Sequence, residues 1–419
     1  MRLMQNSGIE WIGEIPKEWT INSISQLFSQ VKNKNTDLQE TNLLSLSYGK
    51  IKRKNIETTD GLLPESFDGY NIVESNDIVL RLTDLQNDHK SLRVGLVTER
   101  GIITSAYLTI RNHSESIAKY LYFYLHAFDI SKGFYGMGAG VRQGLNWDGI
   151  KWLKILSPSI SEQQAIADFL DTQCAHIDSV IEKTRAAIEE YKKLKQTVIT
   201  QAVTKGIRPN REMKDSGIEW IGEIPKEWSL IRIKWLLKER NERSVSGNEE
   251  PLSMSQKYGL IPTRQMDMIP NMASSFVGAK LCYKNDLVFN KLKAHLGVFA
   301  VSYFDGLVSP DYAVYYSTNL ASLKYLEYLF KTPQYIGEFR KKSTGVGAGL
   351  TRLYTSGLYS IYCALPDFLE QSEIVTYIDE KTAAIDSLIQ KKEQLITELE
   401  AYKKSLIYEY VTGKKEIPT

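Results

Sequence analysis

Six short stretches of this chain combine basic and polar side chains that could contact a phosphate backbone or read base edges. They hold Lys50, Lys52, Arg53 and Lys54; His89, Lys90 and Arg93; Arg142 and Gln143; Lys291, Lys293 and His295; Arg340, Lys341 and Lys342; and Arg352. Taken singly, each reads first as a solvated surface side chain, and only the grouping raises recognition chemistry. Bond-making chemistry has no comparable support. No Gly-x-x-x-x-Gly-Lys-Ser/Thr loop is present to cradle nucleotide phosphates, and no Asn/Asp-Pro-Pro-aromatic tetrapeptide of the aminomethyltransferase kind. The glycine-rich segments 133–140 and 345–349 lack the strand and acidic ribose partner of a dinucleotide site. His89, His113, His126, His176 and His295 are scattered without metal-ligand spacing. Binding therefore outranks catalysis, and no metal or cofactor is expected on the chain itself.

The elements that must position these stretches come in two copies. Ser-Gly-Ile-Glu-Trp-Ile-Gly-Glu-Ile-Pro-Lys-Glu-Trp occupies Ser7–Trp19 and recurs unchanged at Ser216–Trp228, a displacement of 209 residues in a chain of 419. A period of half the chain means a duplicated domain-sized unit rather than a solenoid. The register continues elsewhere: Asn76-Asp77 onto Asn285-Asp286, Gly138-Ala139-Gly140 onto Gly347-Ala348-Gly349, and Ile177-Asp178-Ser179 onto Ile385-Asp386-Ser387. Between these anchors the halves diverge almost completely. Residues 20–156 hold 16 Lys and Arg against 14 Asp and Glu, and residues 229–367 hold 17 against 11. The variable regions are thus basic and the shared framework acidic, which weakly favours a polyanionic partner.

Ser159-x-x-Glu162 and Asp367-x-x-Glu370 each follow a proline and read as capping boxes. Each opens a run free of proline and glycine until Gly206 and Gly413, predicting helices over 159–206 and 367–413. Ile166, Leu170, Ile177, Val180, Ile188, Tyr191, Leu194 and Val198 recur at helical spacing in the first. Ile374, Ile378, Ile385, Leu388, Leu395, Leu399, Tyr402 and Leu406 do so in the second. One apolar stripe on each predicts an intramolecular antiparallel pair; the alternative is two amphipathic helices each packed on its own domain. The duplicated box, rich in tryptophan (Trp11, Trp19, Trp220, Trp228), reads as a strap docking the chain onto the helix ends, or else as a partner-binding surface. With Tyr191 and Tyr402, these tryptophans are the candidate framework and subunit-interface residues. One copy follows the first helix and the other would follow the second if the ends were joined. The ends should therefore lie close together.

Ile72–Leu82, Gly101–Ile110, Leu281–Asn290 and Val308–Tyr316 read as strands, and Ala118–Phe128 and Leu320–Phe330 as short helices. Cys174, Cys282 and Cys363 form no disulfide framework, and no signal peptide or membrane-length apolar run is found. A cytoplasmic location is expected.

The ordered combination is specific. Gly-Ile-Glu-Trp-Ile-Gly-Glu-Ile-Pro-Lys-Glu-Trp, a variable block ending in Gly-x-Gly, then Pro-x-x-x-Glu-Gln and a long helix, all twice, resembles the specificity subunit of Type I restriction–modification enzymes over essentially the whole chain. The resemblance implies an α+β architecture with an internal, circular pseudo-twofold repeat. Two α/β target-recognition domains, at 20–158 and 229–366, would be separated by the pair of long antiparallel helices. Boxes at 1–19 and 207–228 and a tail at 414–419 complete the scheme. It implies that each domain reads half of an interrupted, asymmetric site in double-stranded DNA. Two methyltransferase subunits would dock on the framework and restriction subunits would join them, with no membrane involved. S-adenosylmethionine, ATP and Mg2+ would sit on those partners, leaving this chain non-catalytic. One departure concerns the polar pair after Gly-x-Gly, Arg142-Gln143 in the first half but Thr351-Arg352 in the second. Rival readings are a free-standing DNA-binding regulator, a helical adaptor that never meets DNA, and an undetected enzyme.

Overall fold

The computed structural model describes residues 2–57, 66–88, 91–137, 144–255, 258–268, 275–345 and 351–418. It divides into two compact units, residues 1–184 with 393–419 and residues 185–392, so that the division falls inside both long helices.

In the first unit, a four-stranded antiparallel sheet runs in the order Phe28–Gln30, Leu108–Asn112, Ile78–Leu80, Val94–Leu96. In the second, Leu237–Arg240, Tyr312–Ser317, Leu287–Asn290 and Phe299–Val301 repeat that order and those directions. Two unlike sequences build one topology. The predicted strands are each two strands. Ile72–Leu82 breaks into Asn71–Val73 and Ile78–Leu80, and Leu281–Asn290 into Lys280–Cys282 and Leu287–Asn290. The turns place Asn76 and Asn285 at φ of 72° and 71°, a left-handed conformation that asparagine tolerates better than most residues. Asp77 and Asp286, which follow them, are buried and hold Arg111 and Arg240 through two hydrogen bonds each.

Thr20–Ser23 pairs with Lys154–Ser157, and Ser229–Arg232 with Tyr362–Leu365. These ribbons bring the start and end of each variable region together at the foot of a long helix. The helices span Ile160–Lys205 and Phe368–Val411, 46 and 44 residues, or about 65–70 Å each at 1.5 Å per residue. Both long helices contribute to each unit, and inside each they run antiparallel. In the first unit Phe169 meets Tyr410, and Lys403 Nζ lies 2.6 Å from Asp178. In the second, Lys195 Nζ lies 2.6 Å from Asp386. The two ion pairs are the same pair displaced by 208 residues. They are too exposed to add much stability and act as markers of register. Ile166, Leu170, Ile177, Ile374, Ile378, Ile385 and Leu406 are buried, but Leu194, Leu388, Leu395 and Tyr402 of the predicted seam stay 40% or more exposed. The stripe is sealed only in part.

The capping boxes are half formed. Ser159 Oγ accepts from Glu162 N at 3.3 Å and Asp367 Oδ1 from Glu370 N at 2.8 Å. The glutamates do not reach back to the cap. Glu162 accepts from Trp19 Nε1 at 3.0 Å and from Arg2 Nη1 at 2.5 Å. Glu370 accepts from Trp228 Nε1 at 3.3 Å and from Arg211. The adjoining glutamines reach the variable regions: Gln163 accepts from Ile117 N at 2.9 Å and Gln371 from Ser322 N at 2.7 Å, where the short helices Ala118–Ile130 and Leu323–Phe330 begin.

Each box is a small strap, with Met4–Asn6 paired to Glu14–Pro16 and Met213–Asp215 to Glu223–Pro225. Trp19 and Trp228 are buried, while Trp11 packs on Tyr124, Phe128 and Tyr408, and Trp220 on Tyr335. Each strap also holds the end of a helix that began in the other half. Lys414 Nζ donates to Glu14 O at 2.5 Å, and Lys205 Nζ to Glu223 O at 2.6 Å. Both helices stop at a glycine of positive φ, Gly206 at 78° and Gly413 at 70°. A Cβ on Gly413 would fall 2.4 Å from Pro16 Cδ. The chain ends meet in the first unit, where Arg2 Nε lies 3.7 Å from Glu416.

Arg211 and Glu370 are almost fully buried (7% and 3% exposed side chains), whereas Arg2 and Glu162 keep 28% and 19%. Replacing Glu370 by Ala should therefore cost about 3–5 kcal/mol, because the guanidinium is left buried without its partner. Glu162→Ala should cost about 1–2 kcal/mol. Chemical denaturation followed by tryptophan fluorescence measures both, and equal losses would contradict the asymmetry.

Candidate nucleic-acid interface

The basic candidates of the second unit converge on the turn after the third strand of its sheet. Leu353 N donates to Lys291 O at 3.0 Å, and Thr344 and Arg352 exchange backbone hydrogen bonds at 3.0 and 2.9 Å. Three separate segments, 291–295, 340–344 and 352–353, thereby meet. Lys291 is held below the usual lysine pKa, first by burial and then by the nearby charges of Lys280, Arg352. A crowded cation of this kind gains from an incoming phosphate, which relieves the repulsion. Arg352 is tied loosely to Asp311, 3.4 Å away, and Lys293 and Lys342 are exposed. Beside this cluster, His295, Lys331, Arg340 and Ser255 line an open cleft of about 560 Å³. His295 Nδ1 is buried there and has no hydrogen-bond partner among the described residues. Lys341 is exposed and pairs with Glu338 at 2.7 Å.

The first unit places its candidates differently. Leu145 N donates to Leu82 O at 2.9 Å, the counterpart of the Leu353–Lys291 bond, so the segment after Gly-x-Gly reaches the equivalent turn. Arg142, Gln143, His89 and Lys90 lie outside the described residues, as do both Gly-x-Gly sequences. Lys52 and Lys54 are exposed on and after the hairpin formed by Leu44–Ser47 and Lys50–Arg53. Lys50 turns instead to Asp178 of the long helix, 3.0 Å away, and Arg53 forks onto Glu99.

Arg93 is a correction. It is fully buried, and its guanidinium donates to the carbonyls of Arg81, Thr83, Asp84 and Asp88 and to Tyr135. With every donor engaged it holds the 81–88 turn from beneath and offers DNA nothing. Its own backbone amide donates to Asp129 at 2.6 Å; burial pushes that carboxyl up to about 6, against the pull of this hydrogen bond. His126, one turn earlier, is pushed down to about 4 by burial and is a neutral core residue stacked on Tyr122. Of the four box tryptophans, Trp19 and Trp228 are buried and Trp11 and Trp220 half-buried. Tyr191 is half-buried under Lys392, and Tyr402 is exposed.

Sequence reasoning passed over Lys280 and Lys331, single cations outside any basic run, which only the fold brings near Lys291 and into the adjoining cleft, respectively. It also passed over Arg2 and Arg211. Their separation of 209 residues carries the repeat upstream of Ser7 and was a readable signal. Among the described residues no group of three His, Cys, Asp or Glu side chains is placed to hold a metal ion. No helix is long and apolar enough to cross a membrane.

Residues 16–190 match the family model of the Type I restriction modification DNA specificity domain. Two proteins of Methanocaldococcus jannaschii are similar along nearly their whole length. One, named for the type I restriction enzyme MjaX specificity subunit, is 23% identical over 431 residues, covering 97% of this chain and 96% of its own. The other, the type I restriction enzyme MjaVIII specificity subunit, is 21% identical over 420 residues, covering 96% and 93%. Among solved structures, a chain from work on complex assembly and conformational transition of the type I R-M system matches with a TM-score of 0.69 at 13% identity. The match covers 96% of this chain and 99% of that one. The HsdS subunit from Thermoanaerobacter tengcongensis matches at 0.55 and 14%, covering 96% and 98%. The twice-built sheet on a duplicated helical framework is the fold these solved structures share with the chain. The chain is thus similar along nearly its whole length to type I restriction–modification specificity subunits, and over residues 16–190 to their DNA specificity domain.

The burial of Arg93 predicts a stability defect of about 3 kcal/mol or more for Arg93→Ala, since several carbonyls lose their donor in the interior. Lys52→Ala and Lys54→Ala should each stay within about 0.5 kcal/mol of the parent. Urea titration of the three variants decides between an internal brace and a surface cation.

Proposed function

We propose that the two variable regions, residues 20–158 and 229–366, act as target-recognition domains that each read one half of an interrupted, asymmetric site in double-stranded DNA. The chain then directs adenine methylation and restriction by partner subunits. The observation that carries this reading is one sheet topology built twice from unlike sequences, with Leu145 led to the Leu82 turn in one unit and Leu353 to the Lys291 turn in the other. A shared scaffold with differing side chains at one turn suits two readers of two sequences. Phosphate contacts would supply salt-sensitive affinity, and base-edge contacts the discrimination.

The long helices would set the unread spacer, and two methyltransferase subunits would dock on the framework, with restriction subunits completing the complex in the cytoplasm. Leu194, Leu388, Leu395 and Tyr402, apolar yet exposed, support such docking. S-adenosylmethionine, ATP and Mg2+ belong to the chemistry of those partners.

Inserting four residues after Gln196 would lengthen the first helix by about 6 Å, between one and two base-pair steps of 3.4 Å. Methylation mapping of cells carrying that variant should show a longer tolerated spacer with both half-sites unchanged. An unchanged spacer would refute the helical ruler.

A further inference from the structure

Trp152 and Trp235 are 71% and 61% exposed, while the box tryptophans Trp19 and Trp228 are buried. The sequence does not relate them. By the displacement of the repeat, Trp152 corresponds to Ser360 and Trp235 to Gln26. The fold relates them closely. In the first unit the turn carrying Trp152 is laced to the turn carrying Gln26, since Ile24 N donates to Leu153 O at 2.9 Å and Ser25 N to Lys151 O at 3.0 Å. In the second unit the same lacing recurs, with Ile233 N donating to Ile361 O at 2.9 Å. The two strand ribbons flanking these turns share one register, Lys154 opposite Ser23 and Tyr362 opposite Arg232. Each unit therefore presents one exposed indole at the same corner, supplied from opposite sides of the junction, with a small or polar residue on the facing turn.

A lysine accompanies each ring. Lys151 Nζ lies 5.8 Å from the Trp152 centroid while pairing with Asp148 at 2.7 Å, and Lys234 Nζ lies 4.7 Å from the centroid of Trp235. Lys154 and Lys238 are exposed nearby in sequence. A side chain that reads sequence has no reason to agree between two halves that read different sequences. A side chain kept in place but not in the repeat's register faces something identical on both halves. The DNA backbone is identical too, but phosphates offer an indole no apolar slot to fill. A protein surface does, and tryptophan is among the residues most enriched at interface anchors.

We propose that Trp152 and Trp235 each anchor one copy of the methyltransferase subunit, through an apolar slot rimmed by carboxylates that complement Lys151 and Lys234. This rests on the specificity-subunit reading above.

The test uses the full chain mixed with the methyltransferase subunit of the same system, with bound copies counted by native mass spectrometry and affinities taken by titration. Trp152→Ala and Trp235→Ala should each weaken one of two sites by about 30-fold, and the double variant both. Thermal unfolding should not move, because both rings are mostly exposed. Transferring the ring across the junction, Gln26→Trp with Trp152→Ser, should restore the first site. Two copies bound at parental affinity by the double variant would overturn the proposal. Unchanged methyltransferase binding with weakened DNA binding by the assembled complex would overturn it as well, by assigning the rings to the duplex. A parental chain that takes up no methyltransferase would instead overturn the functional reading beneath it, and is seen before any variant is made.

Discussion

Everything in this chain hangs on a carboxylate that serves three segments at once. Glu162 in the first unit and Glu370 in the second sit in the first turn of a long helix, where the dipole favours negative charge. Each takes the indole N–H of a buried tryptophan from the strap and the guanidinium of an arginine just upstream of it. The neighbouring glutamine, also buried, takes a backbone amide where the variable region's own helix begins. Two adjacent residues thereby fix the strap, the long helix and the variable region to one another. The same strap clasps the end of the other long helix by its carbonyl, and in the first unit by Pro16 as well.

That arrangement explains why the framework repeats and the rest does not. A knot made of side-chain geometry tolerates little change: a shorter acid loses the indole, and a Cβ at Gly413 meets a proline ring. The sheet between its two anchoring ribbons has no such constraint. It needs apolar strands and two asparagine turns to keep its order, and leaves the loops beyond the third strand free to differ. Divergence there costs the fold little and changes what is presented. The repeat also closes on itself within the first unit, since its strap meets the end of the second helix and the chain ends lie together.

The framework was legible because its signals are local. Pro158 with Ser159, Pro366 with Asp367, and the terminal glycines set helix bounds to within a residue or two. The identical boxes announced the duplication by themselves. The carboxylates of the capping boxes were misread because a glutamate at that position looks the same whether it turns back to the cap or out to a tryptophan 143 positions away. Arg93 was misread for the same reason: an arginine in a polar loop gives no sign that its guanidinium will find four carbonyls and a tyrosine hydroxyl beneath the surface. Strand ends were blurred because Asn76 and Asn285 interrupt apolar runs without a glycine or proline to mark the break. The cluster around Lys291 could not be assembled from sequence, since Lys280 and Arg352 reach it from two distant segments. In each case the missing information was non-local.

The central claim is that this chain supplies the address for chemistry performed by other subunits. The most direct measurement is a genome-wide map of N6-methyladenine in cells with the chain present and then deleted, with the methyltransferase expressed in both. The account predicts that one interrupted, non-palindromic motif loses its methylation on deletion. Methylation that persists unchanged at every motif would contradict it.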